Sequence, residues 1–142
     1  MRYLLLVSHG TFAPGMHSVL RMLMGDRPDV LSASLEDGMG ADDFVARVNE
    51  ALAPVTADDE VIVLGDIIGG SPLTNTLNVL AERGMLARTT ALGGMNLPMA
   101  MTALMGLETA DTAALVKQML DEAQAGARQV ELAAAEDDED DI

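Results

Sequence analysis

The sequence predicts an α/β fold, an open and mostly parallel sheet with helices on both faces. Three observations lead there. Residues 3–7 (YLLLV) and 61–64 (VIVL) are short, continuous apolar runs. Such runs belong to strands buried on both faces, the situation of a parallel sheet covered by helices. Segments with helical apolar spacing separate the runs, so strand and helix alternate along the chain. Both runs also end beside chemistry-bearing residues, His9, directly followed by Gly10, and Asp66, followed after two isoleucines by Gly69 and Gly70. In open parallel sheets, functional groups gather at the carboxyl ends of strands.

The elements follow in order. After the strand at 3–7, residues 15–25 predict a helix whose stripe is Met16, Val19, Leu20 and Leu23, stopped by Gly25. Residues 29–35 form a weaker strand. Residues 41–53 form a helix with Phe44, Val45, Val48 and Leu52 on one face, ended by Pro54. The strand at 61–64 leads into a helix with Ser71 as N-cap and Pro72 as first helical residue. Leu73, Leu77 and Leu80 are its stripe, and Gly84 ends it. Residues 87–92 form a fourth strand, Gly93-Gly94 a turn, and 97–105 a short helix opened by Pro98. Residues 109–125 are the last long helix. Val130 and Leu132 alternate with polar neighbours, so 129–133 reads as a final strand.

Parallel strands need right-handed crossovers. The first and third strands are the most apolar and should be central. The order 2-1-3-4 satisfies this, with the last segment on the outer edge. His9 and Asp66 then end neighbouring strands and face one crevice at the topological switch point.

Composition narrows the function. The chain has 142 residues, enough for one domain, and is 49% hydrophobic but only 2% aromatic. It has no cysteine, which removes disulfides, thiolate metal sites and cysteine nucleophiles and fits a reducing cytoplasm. No stretch has the length of a signal peptide or membrane span. The formal net charge of −15 argues against nucleic acid or anionic lipid and admits a basic protein partner. Residues 136–142 hold six consecutive acids and read as a disordered tail, leaving 1–135 as the domain.

His9 is the candidate nucleophile. An imidazole is largely neutral near pH 7 and can attack phosphorus without a separate base. Asp66 can accept a hydrogen bond from its ring, fixing the tautomer, or can bind Mg²⁺, although no further carboxylates flank it. Gly69, Gly70 and Ser71 form an anion seat, where bare backbone and the free N–H groups of a helix start meet a phosphoryl group. The Ser71 hydroxyl can cap the helix, bind a phosphoryl oxygen, or do both. Ser8 and Thr11 add hydroxyls around His9. Met16, Met95 and Met99 stand at the starts of elements near the crevice, where flexible thioethers suit a surface that docks two partners in turn. His17 lies off its helix's apolar stripe and is expected in solvent. No metal site or cofactor is expected.

Three segments carry a family resemblance: the strand-SHG start, the strand-D-x-x-G-G-S-P segment, and the G-x-N-x-P-M turn at Gly94 to Met99. In this order the chain resembles the mannose-family EIIA domains of the phosphoenolpyruvate-dependent sugar phosphotransferase system, up to about Ala135. The resemblance implies that His9 is the phosphorylated histidine, Asp66 its hydrogen-bonded partner and Ser71 the loop serine beside the phosphoryl group. It implies phospho-HPr as donor, a IIB protein or domain as acceptor, and a homodimer. In that dimer residues 129–133 would cross, antiparallel, to the partner's sheet. The family commonly has an aromatic residue where this chain has Ile68.

Other readings have distinguishable signatures. EIIA-like domains also serve as regulators or feed phosphate to dihydroxyacetone kinase, and the intact G-G-S-P loop leans toward the mannose type. Small cobalt and sirohydrochlorin chelatases share a strand-HG start but need a later histidine, and none follows His17. Histidine phosphatases begin with strand-RHG, where this chain has Ser8. A flavin-binding module would need aromatics to stack the ring, and here there are one Tyr and two Phe.

Overall fold

The computed structural model describes residues 1–135. Strands β1 (Arg2–His9), β2 (Val30–Leu35), β3 (Glu60–Gly65) and β4 (Thr89–Leu92) form one parallel sheet in the order β2-β1-β3-β4. The helices are α1 (Phe12–Met24), α2 (Ala41–Ala51), α3 (Ser71–Glu82), α4 (Leu97–Met105), α5 (Thr112–Ala125) and the single turn α6 (Leu132–Ala135). The predicted strand order is the observed one.

Successive strand residues point to opposite faces, and the sequence uses both. Leu4, Leu6, Ile62 and Leu64 pack with Met16 and Leu20 of α1, Met99 and Leu104 of α4, and Leu115 and Met119 of α5. Tyr3, Leu5, Val7, Val61 and Val63 pack on the other face with Phe44 and Val48 of α2 and Val79 and Leu80 of α3. The apolar runs are therefore the middle layer of a three-layer sandwich. The β1–β3 register pairs Val7 with Gly65, which brings the residues just beyond, His9 and Asp66, to the same edge.

Several boundaries differ from expectation for local reasons. Helix α1 begins at Phe12 rather than residue 15. Gly10, at φ +57°, turns the chain off β1, and the Ser8 hydroxyl accepts from the Ala13 N–H at 2.7 Å. Pro14 falls in the first turn, where a missing N–H costs nothing. Helix α5 starts at Thr112 because the Asp111 side chain accepts from the Ala114 N–H. Helix α3 has Gly70, not Ser71, at its N-cap. His17 is half-buried rather than in solvent, its Nδ1 3.0 Å from the Ser32 hydroxyl. Burial and, second, the Arg21 charge lower its pKa.

The final strand expected at 129–133 is absent. Residues 128–131 have no regular structure, and Leu132–Ala135 turn into a helix, with Val130 and Leu132 exposed. A strand needs a ladder partner, and among the described residues the segment has none. The run Leu-Ala-Ala-Ala, rich in the best helix former, takes the local alternative. The predicted acidic tail at 136–142 lies outside the described residues. Among the described residues no helix is long and apolar enough to cross a membrane.

Candidate functional site

Strand β1 delivers His9 to the sheet edge, and Asp66 directly follows β3. Asp66 Oδ2 lies 2.8 Å from His9 Nδ1 and also accepts the His9 backbone N–H at 2.9 Å. Its Oδ1 accepts the Ile67 N–H at 3.0 Å. Partial burial, the largest influence, would raise the Asp66 pKa. The hydrogen bonds from His9 and Ile67 outweigh it together and hold the carboxyl below its ordinary value. An ionised carboxylate only accepts hydrogen bonds. Nδ1 therefore carries the ring proton, and in the neutral ring Nε2 holds the lone pair. The imidazole is 46% exposed and the Asp66 side chain 16%, so a fixed, half-open nucleophile stands over a sheltered anion.

The β3–α3 loop closes around the ring. Gly69 turns at φ +81°. A Cβ on Gly70 would lie 2.9 Å from His9 Cε1 and 3.0 Å from Ile67 Cγ1, so only a bare backbone fits beneath the ring. Ser71 is the first residue of α3, and its hydroxyl oxygen accepts from Asn75 Nδ2 at 2.9 Å. Because Gly70 occupies the cap, the Ser71 hydroxyl is not used in capping and its proton stays available. The first N–H groups of α3 lack helical partners and are suited to an anion. On the β2 side His9 and Gly10 border a depression of about 370 Å³ closed by the loop from Leu35 to Met39. Among the described residues no group of three or more His, Asp or Glu could hold a metal.

The structure thus joins His9, Asp66 and Gly70, with Gly69 and Ser71 on the same loop. The remaining expected residues separate. Ser8 is fully buried and its hydroxyl seats α1, so it offers nothing to a ligand. Thr11 is exposed at the N-cap of α1 and lies with Phe12 on the wall of a groove of about 480 Å³. Met95 and Met99 are buried at 4% and 2% exposure in the core, and Met16, at 8%, is buried except where it reaches the floor of that groove, so little of the three thioethers is on the surface. The exposed apolar side chains on these two loops are instead Phe12, Ile67 and Ile68, at 46%, 53% and 81%. Their signal was readable: an apolar pair inside a turn, and a Phe directly after His-Gly-Thr, fit no core stripe.

A family model described as EIIA-man, PTS system fructose IIA component, matches residues 3–120. A fructose-specific EIIA component of the phosphotransferase system from Bacillus subtilis (strain 168) is 26% identical over 96 residues, 68% of this chain. The chain spans 64% of that relative's length. Two solved structures share the fold. A phosphotransferase system component EIIA from Streptococcus agalactiae superposes with a TM-score of 0.76 at 24% identity, covering 94% of this chain and 99% of its own. A mannose/sorbose specific IIA subunit from Enterococcus faecalis gives 0.77 at 21% identity, over 92% and 95%. The match to the family model takes in β1, the β3–α3 loop and the helices that hold them, and the chain belongs to the EIIA-man family of phosphotransferase-system IIA components.

Proposed function

We propose that this chain is a phosphohistidine carrier. His9 takes a phosphoryl group from phospho-HPr and passes it to a histidine of a IIB component in a mannose-type sugar phosphotransferase system. The observation that carries this reading is the Nδ1–Asp66 contact of 2.8 Å, which leaves Nε2 as the nucleophile. In the first step the Nε2 lone pair attacks phosphorus, a P–N bond forms, and the P–N bond to the donor imidazole breaks with its electron pair returning to that ring. The phosphorylated His9 keeps its Nδ1 proton and gains cationic character, which Asp66 balances. The α3 N–H groups and the Ser71 hydroxyl donate to the phosphoryl oxygens. The second step is the same displacement with His9 as leaving group. Catalysis is positioning and electrostatics between two docked proteins, with no nucleotide. A cytoplasmic homodimer that pairs residues 129–133 between copies belongs to the same proposal.

The test is incubation with enzyme I, HPr and phosphoenolpyruvate, followed by mass mapping. One acid-labile, base-stable phosphate on His9, kept in His17→Ala, is expected. Phosphate on another residue, or none, overturns the reading. Gly70→Ala tests the seat. Its methyl would press on His9 Cε1, and the initial rate of phosphoryl uptake should fall by roughly tenfold or more, as expected for a misplaced reacting group.

A further inference from the structure

The turn after β4 packs directly against the β3–α3 loop. A Cβ on Gly93 would overlap Ile68 Cγ1 and would lie 3.1 Å from the Ile68 backbone nitrogen and 3.3 Å from its Cα. Gly93 is not among the positive-φ glycines, so space and not backbone conformation requires the missing side chain. Two residues on, the Met95 N–H donates to the Gly65 carbonyl at 2.9 Å, immediately before Asp66. The turn therefore holds the β3–α3 loop at two points that bracket Asp66 and Ile67. Met95 itself is buried in the core, which anchors the turn from beneath.

We infer that Gly93 is a positioning residue for the His9–Asp66 pair, acting through the backbone of Ile68. This inference rests on the phosphocarrier reading for its kinetic consequence but not for its structural one. Bare backbone at Gly93 lets the loop settle far enough for the Asp66 carboxylate to meet both the His9 N–H and its ring. A methyl there first displaces the Ile68 side chain and then moves the loop backbone by a few tenths of an ångström. Asp66 and Gly70 lie within two residues of Ile68 and move with it.

The experiment compares Gly93→Ala, Ile68→Ala and the double variant. Nitrogen NMR of the His9 ring reads the Nδ1 contact in each, before any phosphate is added. In Gly93→Ala the His9 ring resonances should shift and phosphoryl uptake should fall by roughly tenfold, chiefly in kcat rather than KM. In the double variant the nearest clash is gone, and both readouts should return most of the way to those of Ile68→Ala alone. Unchanged ring resonances in a folded Gly93→Ala overturn the inference. So does a double variant no better than the single one. If Gly93→Ala does not fold, recovery of both fold and ring resonances in the double variant supports the contact, and failure to recover overturns it. A wild-type chain that takes no phosphate would defeat the carrier reading while leaving the ring measurement to decide this one.

Discussion

Asp66→Asn is expected to slow phosphoryl uptake by His9 by roughly a hundredfold or more, about 2.7 kcal/mol in barrier height, while the fold persists. Three N–H donors converge on the Asp66 carboxylate: the His9 backbone, the His9 ring and Ile67. A carboxylate accepts all three. A carboxamide has one acceptor oxygen and must turn its NH₂ toward at least one donor. If the NH₂ faces the ring, the tautomer reverses and Nε2 carries the proton, which removes the nucleophile. If it faces Ile67, the tautomer survives, but no negative charge balances the cationic phosphorylated ring. Both outcomes slow the step. Initial rates with phospho-HPr, alongside circular dichroism to confirm folding, make the measurement. Uptake at the wild-type rate would refute the role given to Asp66.

The pH dependence has a definite sign. The folded-state pKa of Asp66 lies below the ordinary 3.8, so its pairing stabilises the fold fully above that value. The contribution is lost only as the pH falls through the lower folded value. Asp66 should therefore add no inflection to the rate between about pH 5 and pH 8, and any inflection there comes from other groups.

The sheet and the reacting pair were legible because they rest on local pattern. Uninterrupted apolar runs can only be buried on both faces, and the order 2-1-3-4 follows from making them central. His9 and Asp66 then meet by topology alone. What the sequence hid were matters of direction and space. Ser8 could face the crevice or the core, and the early start of α1 at Phe12 turned it inward. The three methionines lie near the sheet edge in chain order, but α4 and α5 close over them. The space that Gly93 must leave for Ile68 exists only once two distant turns meet. The segment 129–133 has alternating residues but no ladder partner among the described residues, so its pattern alone could not set its structure.

The largest stability effect should come from Phe44→Ala. Phe44 is one of only two phenylalanines and is fully buried on α2, packed in the cluster of Leu5, Val7, Ala33 and Val48. Truncating a buried Phe to Ala costs about 3–5 kcal/mol, from lost transfer energy and an unfilled cavity. Against the roughly 5–15 kcal/mol that holds an ordinary domain together, that is a large fraction. At about 2–4 °C per kcal/mol for a chain of this size, the melting temperature should fall by roughly 10 °C. Met22→Ala, at a side chain 84% exposed, should change stability by less than about 0.5 kcal/mol. Phe44 lies beneath the sheet face opposite α1, away from the His9–Asp66 contact. Well below its melting temperature the variant should still take up phosphate at close to the wild-type rate. A Phe44→Ala chain that melts like the wild type would contradict the packing of α2. One that stays folded yet cannot react would mean that α2 shapes the crevice directly, through the loop from Leu35 to Met39 that it holds against β2.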